Sequence, residues 1–61
     1  MAVYTVRLKS GTTGTIDSDT LNGQHAESFI GEVVDIHCID ENGNSFGERG
    51  RLVEVLEENE Y

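Results

Sequence analysis

The stretch that decides the fold is residues 34–46, VDIHCIDENGNSF. In its first half apolar and polar side chains alternate, which is the pattern of a β-strand with one buried face. The acidic and glycine-containing turn that follows predicts a hairpin. A three-residue turn at residues 41–43 places Phe46 opposite Cys38 on the apolar face, whereas a two-residue turn would place it opposite Ile39. We therefore predict the three-residue turn.

The same register determines what lies on the outer face of this hairpin. It places Asp35 opposite Arg49 and Val33 opposite Arg51, so that a carboxylate and a guanidinium meet outside the core. Cross-strand pairs of opposite charge stabilise an antiparallel sheet. The outer face therefore favours the same turn length as the apolar face.

A second hairpin is predicted near the N-terminus. Residues 3–9 alternate in the same way, and β-branched residues continue the pattern after a Ser-Gly turn. With a three-residue turn at 9–11 and Gly11 in the left-handed conformation, Tyr4 faces Ile16. A two-residue turn would instead leave Ile16 on the polar face.

The C-terminal part of the chain is predicted to form a returning strand at residues 52–57. Val53 and Val55 share one face of this strand, and Leu52 and Leu56 share the other if alternation is strict. Apolar residues on both faces indicate that the strand is covered on both sides for part of its length, or that it packs on a second chain.

Two segments carry weaker patterns. Ala26, Phe29 and Ile30 have helical spacing, which predicts a short helix or 3₁₀ turn over about residues 24–30, placed to close one end of the sheet. The acidic residues 58–61 are expected to form a frayed tail.

These elements predict an all-β protein with one short helical turn. We expect a single small domain over residues 1–57, an SH3-like barrel built from two β-hairpins and a returning C-terminal strand. An OB fold usually needs a longer chain. A four-stranded sheet that is completed by dimerisation is the alternative, so a homodimer is also considered.

Charge and composition restrict the function. The 61 residues include four Lys or Arg and twelve Asp or Glu, for a net charge of −8. Direct nucleic-acid binding is not expected, because such domains present a basic surface. A single cysteine excludes an internal disulfide and favours a reducing compartment. With no signal peptide and no apolar stretch near the roughly 18 residues that span a bilayer, we expect a soluble, cytoplasmic protein without membrane contact.

No motif indicates catalysis, a metal or a cofactor. Residues 17–23 resemble the start of a calcium loop, but Leu21 occupies the fifth position, where an oxygen ligand is needed. His37 and Cys38 are adjacent on a strand and point to opposite faces, so they cannot form a nucleophile–base pair. We expect a protein that is not an enzyme and that binds no cofactor or metal.

Two functional hypotheses remain. The first is a non-catalytic protein-interaction module or small subunit of an assembly. The alternative is an acidic nucleic-acid mimic that inhibits a DNA- or RNA-binding protein, as phage-type inhibitors do. Both predict a protein partner, possibly basic. The candidate partner-binding residues are the carboxylates of the turns and the C-terminal strand: Asp17, Asp19, Asp40, Glu41, Glu54, Glu57, Glu58 and Glu60.

Overall fold

The computed structural model describes residues 2–60, and within them the chain is mostly β-sheet. Four antiparallel strands form one sheet: β1 (Ala2–Leu8), β2 (Thr13–Asp17), β3 (Val33–Ile39) and β4 (Ser45–Glu60). A 3₁₀ turn at Ala26–Phe29 confirms the predicted helical turn, and no helix in this part of the chain has the length and apolarity to cross a bilayer. The strands pair in the order β1-β2-β3-β4, and β4 returns to pair with β1.

The register of the hairpin between β3 and β4 is confirmed. Cys38 pairs with Phe46 and Asp35 pairs with Arg49, as the three-residue turn requires. The backbone N–H of Asp40 donates to the carbonyl of Asn44 at 2.9 Å and closes the turn.

The register of the first hairpin is also confirmed. Tyr4 pairs with Ile16, and Val6 pairs with Gly14. Gly11 has a φ of +94°, the left-handed conformation expected at the last residue of the turn. In both hairpins, therefore, burial of alternate side chains and turn length together were sufficient to determine the pairing.

The environment of Phe46 differs from the expectation. The sequence placed its ring on the apolar face, but Phe46 is 43% exposed while its partner Cys38 is 2% exposed. Phe46 is the second residue of β4 and lies next to the turn, where the sheet ends. Correct pairing therefore did not lead to full burial.

The expected alternation of side chains along the C-terminal strand is wrong. β4 is one strand of 16 residues whose first half pairs with β3 and whose second half pairs with β1, with two irregularities in the latter register. Leu52 and Val55 pack in the core, while Val53 and Leu56 are exposed. Each β-bulge adds one residue and resets the alternation, which the sequence pattern does not reveal.

The predicted frayed tail is also wrong for residues 58–60, which belong to β4. Glu58 pairs with Tyr4 and Glu60 pairs with Ala2. The beginning of β1 supplies backbone hydrogen-bonding groups that hold this segment in the sheet. Tyr61, the last residue of the predicted tail, lies outside the described residues.

The core lies between the strands and is closed by the segment that joins β2 to β3. Leu21 and Ala26, both from that segment, are almost completely buried. Gly14 permits the close approach of β2 to β3, because a Cβ there would lie 2.6 Å from the carbonyl oxygen of His37 and 2.9 Å from Sγ of Cys38. The buried residues are Ala2, Tyr4, Val6, Leu8, Ile16, Leu21, Ala26, Val34, Ile36, Cys38 and Leu52.

Candidate functional site

The order of the strands brings five of the eight candidate carboxylates to one end of the sheet. Asp17 at the end of β2 pairs with Val3 of β1, and Val3 pairs on its other side with Asn59 of β4. The end of β2 and the end of β4 therefore flank the beginning of β1. We call the carboxylates at this end the acidic end: Asp17, Asp19, Glu57, Glu58 and Glu60.

The other three candidates lie elsewhere. Asp40 and Glu41 occupy the turn between β3 and β4, at the end of β3 that is remote from Asp17. Glu54 lies opposite Arg7, and their side chains form an ion pair of 3.3 Å. The set predicted from the sequence is therefore divided between two ends of the sheet.

Two of the candidates hold turns in place. Oδ1 of Asp17 accepts hydrogen bonds from the backbone N–H of Thr20 at 2.9 Å and from its hydroxyl at 2.8 Å. These bonds lower the pKa of Asp17. Oδ1 of Asp40 accepts from the N–H groups of Asn42 and Asn44, both at 2.9 Å. Asp at the start of a turn favours such bonds, because its short side chain reaches backbone N–H groups two or more residues further on.

Glu27 also lies near the acidic end, because its charge acts on Tyr4 together with the charges of Glu58 and Glu60. Tyr4 is buried, and its hydroxyl lies 3.4 Å from Nδ1 of His25. Burial raises the pKa of Tyr4, and so does the negative charge of Glu58, with smaller effects from Glu60 and Glu27. Glu27 belongs to the 3₁₀ turn and was not among the candidate carboxylates predicted from the sequence.

The four cations lie on β1, on the turn that follows it and in the middle of β4. Residues 10–48 and 52–60 contain no Lys or Arg. The end of β1 and the middle of β4 are adjacent, because the N–H of Lys9 donates to the carbonyl of Arg51 at 2.8 Å. The acidic end thus receives no cationic side chain from the strand ends that form it. The four cations are Arg7, Lys9, Arg49 and Arg51.

An open cleft lies beside the acidic end. Among the described residues, β2 and β3 share one paired position, Thr15 with His37, and then separate. The cleft between them has a volume of about 360 Å³. Its lining includes carboxylates, apolar groups and polar side chains, among them Val3, Thr15, Asp17, Asp35, Ile36 and His37. Asp17 belongs to both the cleft and the acidic end.

Comparison of the chain with protein-family models, curated proteins and solved structures found no match. The surface is therefore interpreted from its own chemistry. Within residues 2–60, no three His, Cys, Asp or Glu side chains converge as metal ligands would. The arrangement offers carboxylates on neighbouring strand ends and a cleft with apolar walls, which suits positively charged groups that carry some hydrocarbon.

Proposed function

We propose that the four-stranded sheet is an SH3-like barrel that acts as a non-catalytic protein-interaction module or small subunit of an assembly. Its partner is a basic protein, and its surroundings are the reducing cytoplasm, where the single thiol of Cys38 stays unpaired. The closed order of strand pairing supports the barrel assignment.

The acidic end is the observation that carries this proposal. Clustered charges of one sign create a potential that extends beyond the surface and accelerates association with a partner of opposite charge. Because none of the four cations lies on the strand ends that form the acidic end, negative charge is distributed unevenly over the molecule, in addition to its net value of −8. A basic partner is therefore oriented towards the acidic end.

The test is a titration of the ¹⁵N-labelled protein with a lysine-rich decapeptide, followed by amide chemical shifts. We expect shifts at the acidic end that weaken as salt increases from about 50 to 300 mM, because exposed charges are screened over about 8 Å at physiological ionic strength. The double variant Glu58→Gln/Glu60→Gln should bind more weakly than Glu41→Gln/Glu48→Gln, which removes the same charge elsewhere. Equal weakening in both variants, or binding that is insensitive to salt, contradicts the proposal.

The second candidate, a nucleic-acid mimic, is favoured by the same concentration of carboxylates. The position of Asp40 and Glu41 at the remote end of β3 is evidence against a mimic, because a mimic needs a continuous negative surface. Competition separates the two functions. Duplex DNA or RNA would displace a mimic from its partner more effectively than another polyanion of equal charge does, whereas any polyanion of equal charge would compete equally with an interaction module.

A further inference from the structure

We propose that the cleft between β2 and β3 binds a lysine side chain of the protein partner, with the ammonium group held between Asp17 and Asp35. This inference rests on the proposed function, since it assumes a basic protein partner, and it identifies the group that the partner inserts.

The register of the two strands places these carboxylates opposite each other. β2 and β3 are antiparallel, and Thr15 is opposite His37. Asp17 lies two residues after Thr15, and Asp35 lies two residues before His37, so the register puts the two carboxylates at the next facing positions on the same face. Both of them line the cleft.

Like charges in this position do not favour continued pairing of the two strands. Two carboxylates directly opposite each other destabilise an antiparallel pair, and pairing between β2 and β3 does not continue from Thr15 and His37 to Asp17 and Asp35. A cation placed between the carboxylates replaces this repulsion with two attractions. The site therefore favours positive charge more strongly than an isolated exposed carboxylate does.

Both carboxylates have capacity for such a cation. The two hydrogen bonds from Thr20 go to Oδ1 of Asp17, so that Oδ2 is available. Asp35 has an ion pair with Arg49, but the distance between Nε and Oδ1 is 3.9 Å and both side chains are largely exposed. An exposed pair of this length contributes little and competes weakly with a bound ammonium.

The walls of the cleft fit the rest of a lysine side chain. Val3, which is half-buried, supplies apolar surface, and a lysine buries its four-carbon stem against such surface while its charged end stays polar. The ammonium is a compact charge with three donors, which suits oxygens on two sides of a cleft. A guanidinium is a planar fork that matches a single carboxylate, so lysine is the better occupant.

The test uses Nα-acetyl-lysine N-methylamide as the minimal probe, at constant ionic strength and with amide shifts as the readout. We expect saturable shifts at Thr15, Asp17, Asp35 and His37. The Nε-acetylated compound has the same stem without the charge, and should not saturate. Asp35→Asn should weaken binding of the charged probe about two- to fivefold, the range expected for an exposed ion pair.

Two variants and one ion complete the experiment. Glu41→Gln makes the same charge change in an exposed turn and should leave binding of the probe unchanged, while Arg49→Gln removes the competing cation and should strengthen it. Equal effects of Asp35→Asn and Glu41→Gln overturn the inference. So does saturable binding of CaCl₂ at the cleft that is tighter than that of the probe, which would indicate a metal site.

Failure of the inference is distinguishable from failure of the proposed function. If the lysine-rich decapeptide binds the acidic end but the probe does not shift the cleft residues, the inference is wrong and the function stands. If the decapeptide does not bind, the proposed function is wrong. The probe titration then still shows whether the cleft binds a lysine side chain.

Discussion

At the scale of single residues, Asp17 has three roles: its carboxylate stabilises a turn, lines the cleft and belongs to the acidic end. The hydrogen bonds from Thr20 lower its pKa, so the unfolded state binds a proton first as the pH falls. The ionised carboxylate therefore stabilises the fold above its unfolded pKa of about 4, and this stabilisation is lost as the pH falls through the lower folded value.

We expect Asp17→Ala to flatten the acid dependence of stability. Urea unfolding of the variant and the wild type should give free energies that converge as the pH falls below about 4, because the protonated carboxyl no longer holds the turn. Asp19→Ala, in the same loop, is the matched control and should keep the acid dependence of the wild type. A constant difference between Asp17→Ala and wild type at every pH would contradict this account.

Alanine variants of Phe46 and Leu52 test whether the exposed fraction of a side chain determines how much free energy of unfolding is lost when it is truncated. Leu52 is completely buried, and Leu52→Ala should cost about 2 to 5 kcal/mol. Phe46 is 43% exposed, so Phe46→Ala should cost less, about 1 to 2 kcal/mol, because part of the ring is already in water. Urea unfolding at neutral pH measures both. Equal losses would mean that the ring of Phe46 is buried in solution.

At the scale of elements, β4 has an exposed edge at its C-terminal end. Beyond residue 52 one edge of β4 pairs with β1, while its other edge makes no backbone hydrogen bond within residues 2–60. Unpaired edges invite association with other strands, and charged side chains discourage it. Glu58 and Glu60 are placed to do so.

The double variant Glu58→Val/Glu60→Val should therefore self-associate. β-branched residues favour strand pairing, and the loss of both charges removes the repulsion between two copies. Sedimentation velocity over a range of concentrations should show dimers or larger species at concentrations where the wild type shows fewer. Glu41→Val/Glu48→Val has the same composition change and should behave as the wild type. If it associates equally, hydrophobicity alone is responsible.

The elements also show where sequence reasoning was sufficient. The two hairpins were predictable because neighbouring segments pair through short turns, so alternation and turn length determined that Tyr4 faces Ile16 and Cys38 faces Phe46. The bulges at Val53 and Leu56 depend on how β4 fits β1, which is a contact between distant segments.

The acidic end and the cleft were only partly predictable for the same reason. The sequence identified the carboxylates of β4 and Asp17, but only the pairing of both segments with β1 brings them together. Asp35 was assigned to an outward ion pair, and its position opposite Asp17 follows from the Thr15–His37 pairing, which no local pattern signals. Glu27 was missed because the sequence pattern predicts the turn at one end of the sheet but does not show which of its side chains lies near Tyr4.

At the scale of the whole molecule, the net charge of −8 should make stability depend on salt. Carboxylates at the acidic end repel one another in the folded state, and salt screens this repulsion. We expect the thermal midpoint to rise between about 10 and 300 mM NaCl, and to rise less in Glu58→Gln/Glu60→Gln. A midpoint that is unchanged or lower in the wild type would show that the exposed ion pairs outweigh the repulsion.

The single paired position between β2 and β3 also has a kinetic consequence. Paired strands separate first where the fewest hydrogen bonds must break, so we expect the sheet to open first between Thr15 and His37. Cys38 follows His37 in β3, and its side chain lies close to Gly14 of β2. Burial raises the pKa of its thiol. Labelling of Cys38 by a thiol reagent should therefore be slow and should report the frequency of opening. A lysine bound in the cleft would lengthen the time during which β2 and β3 stay paired, and a labelling rate unaffected by it would show that the sheet opens elsewhere.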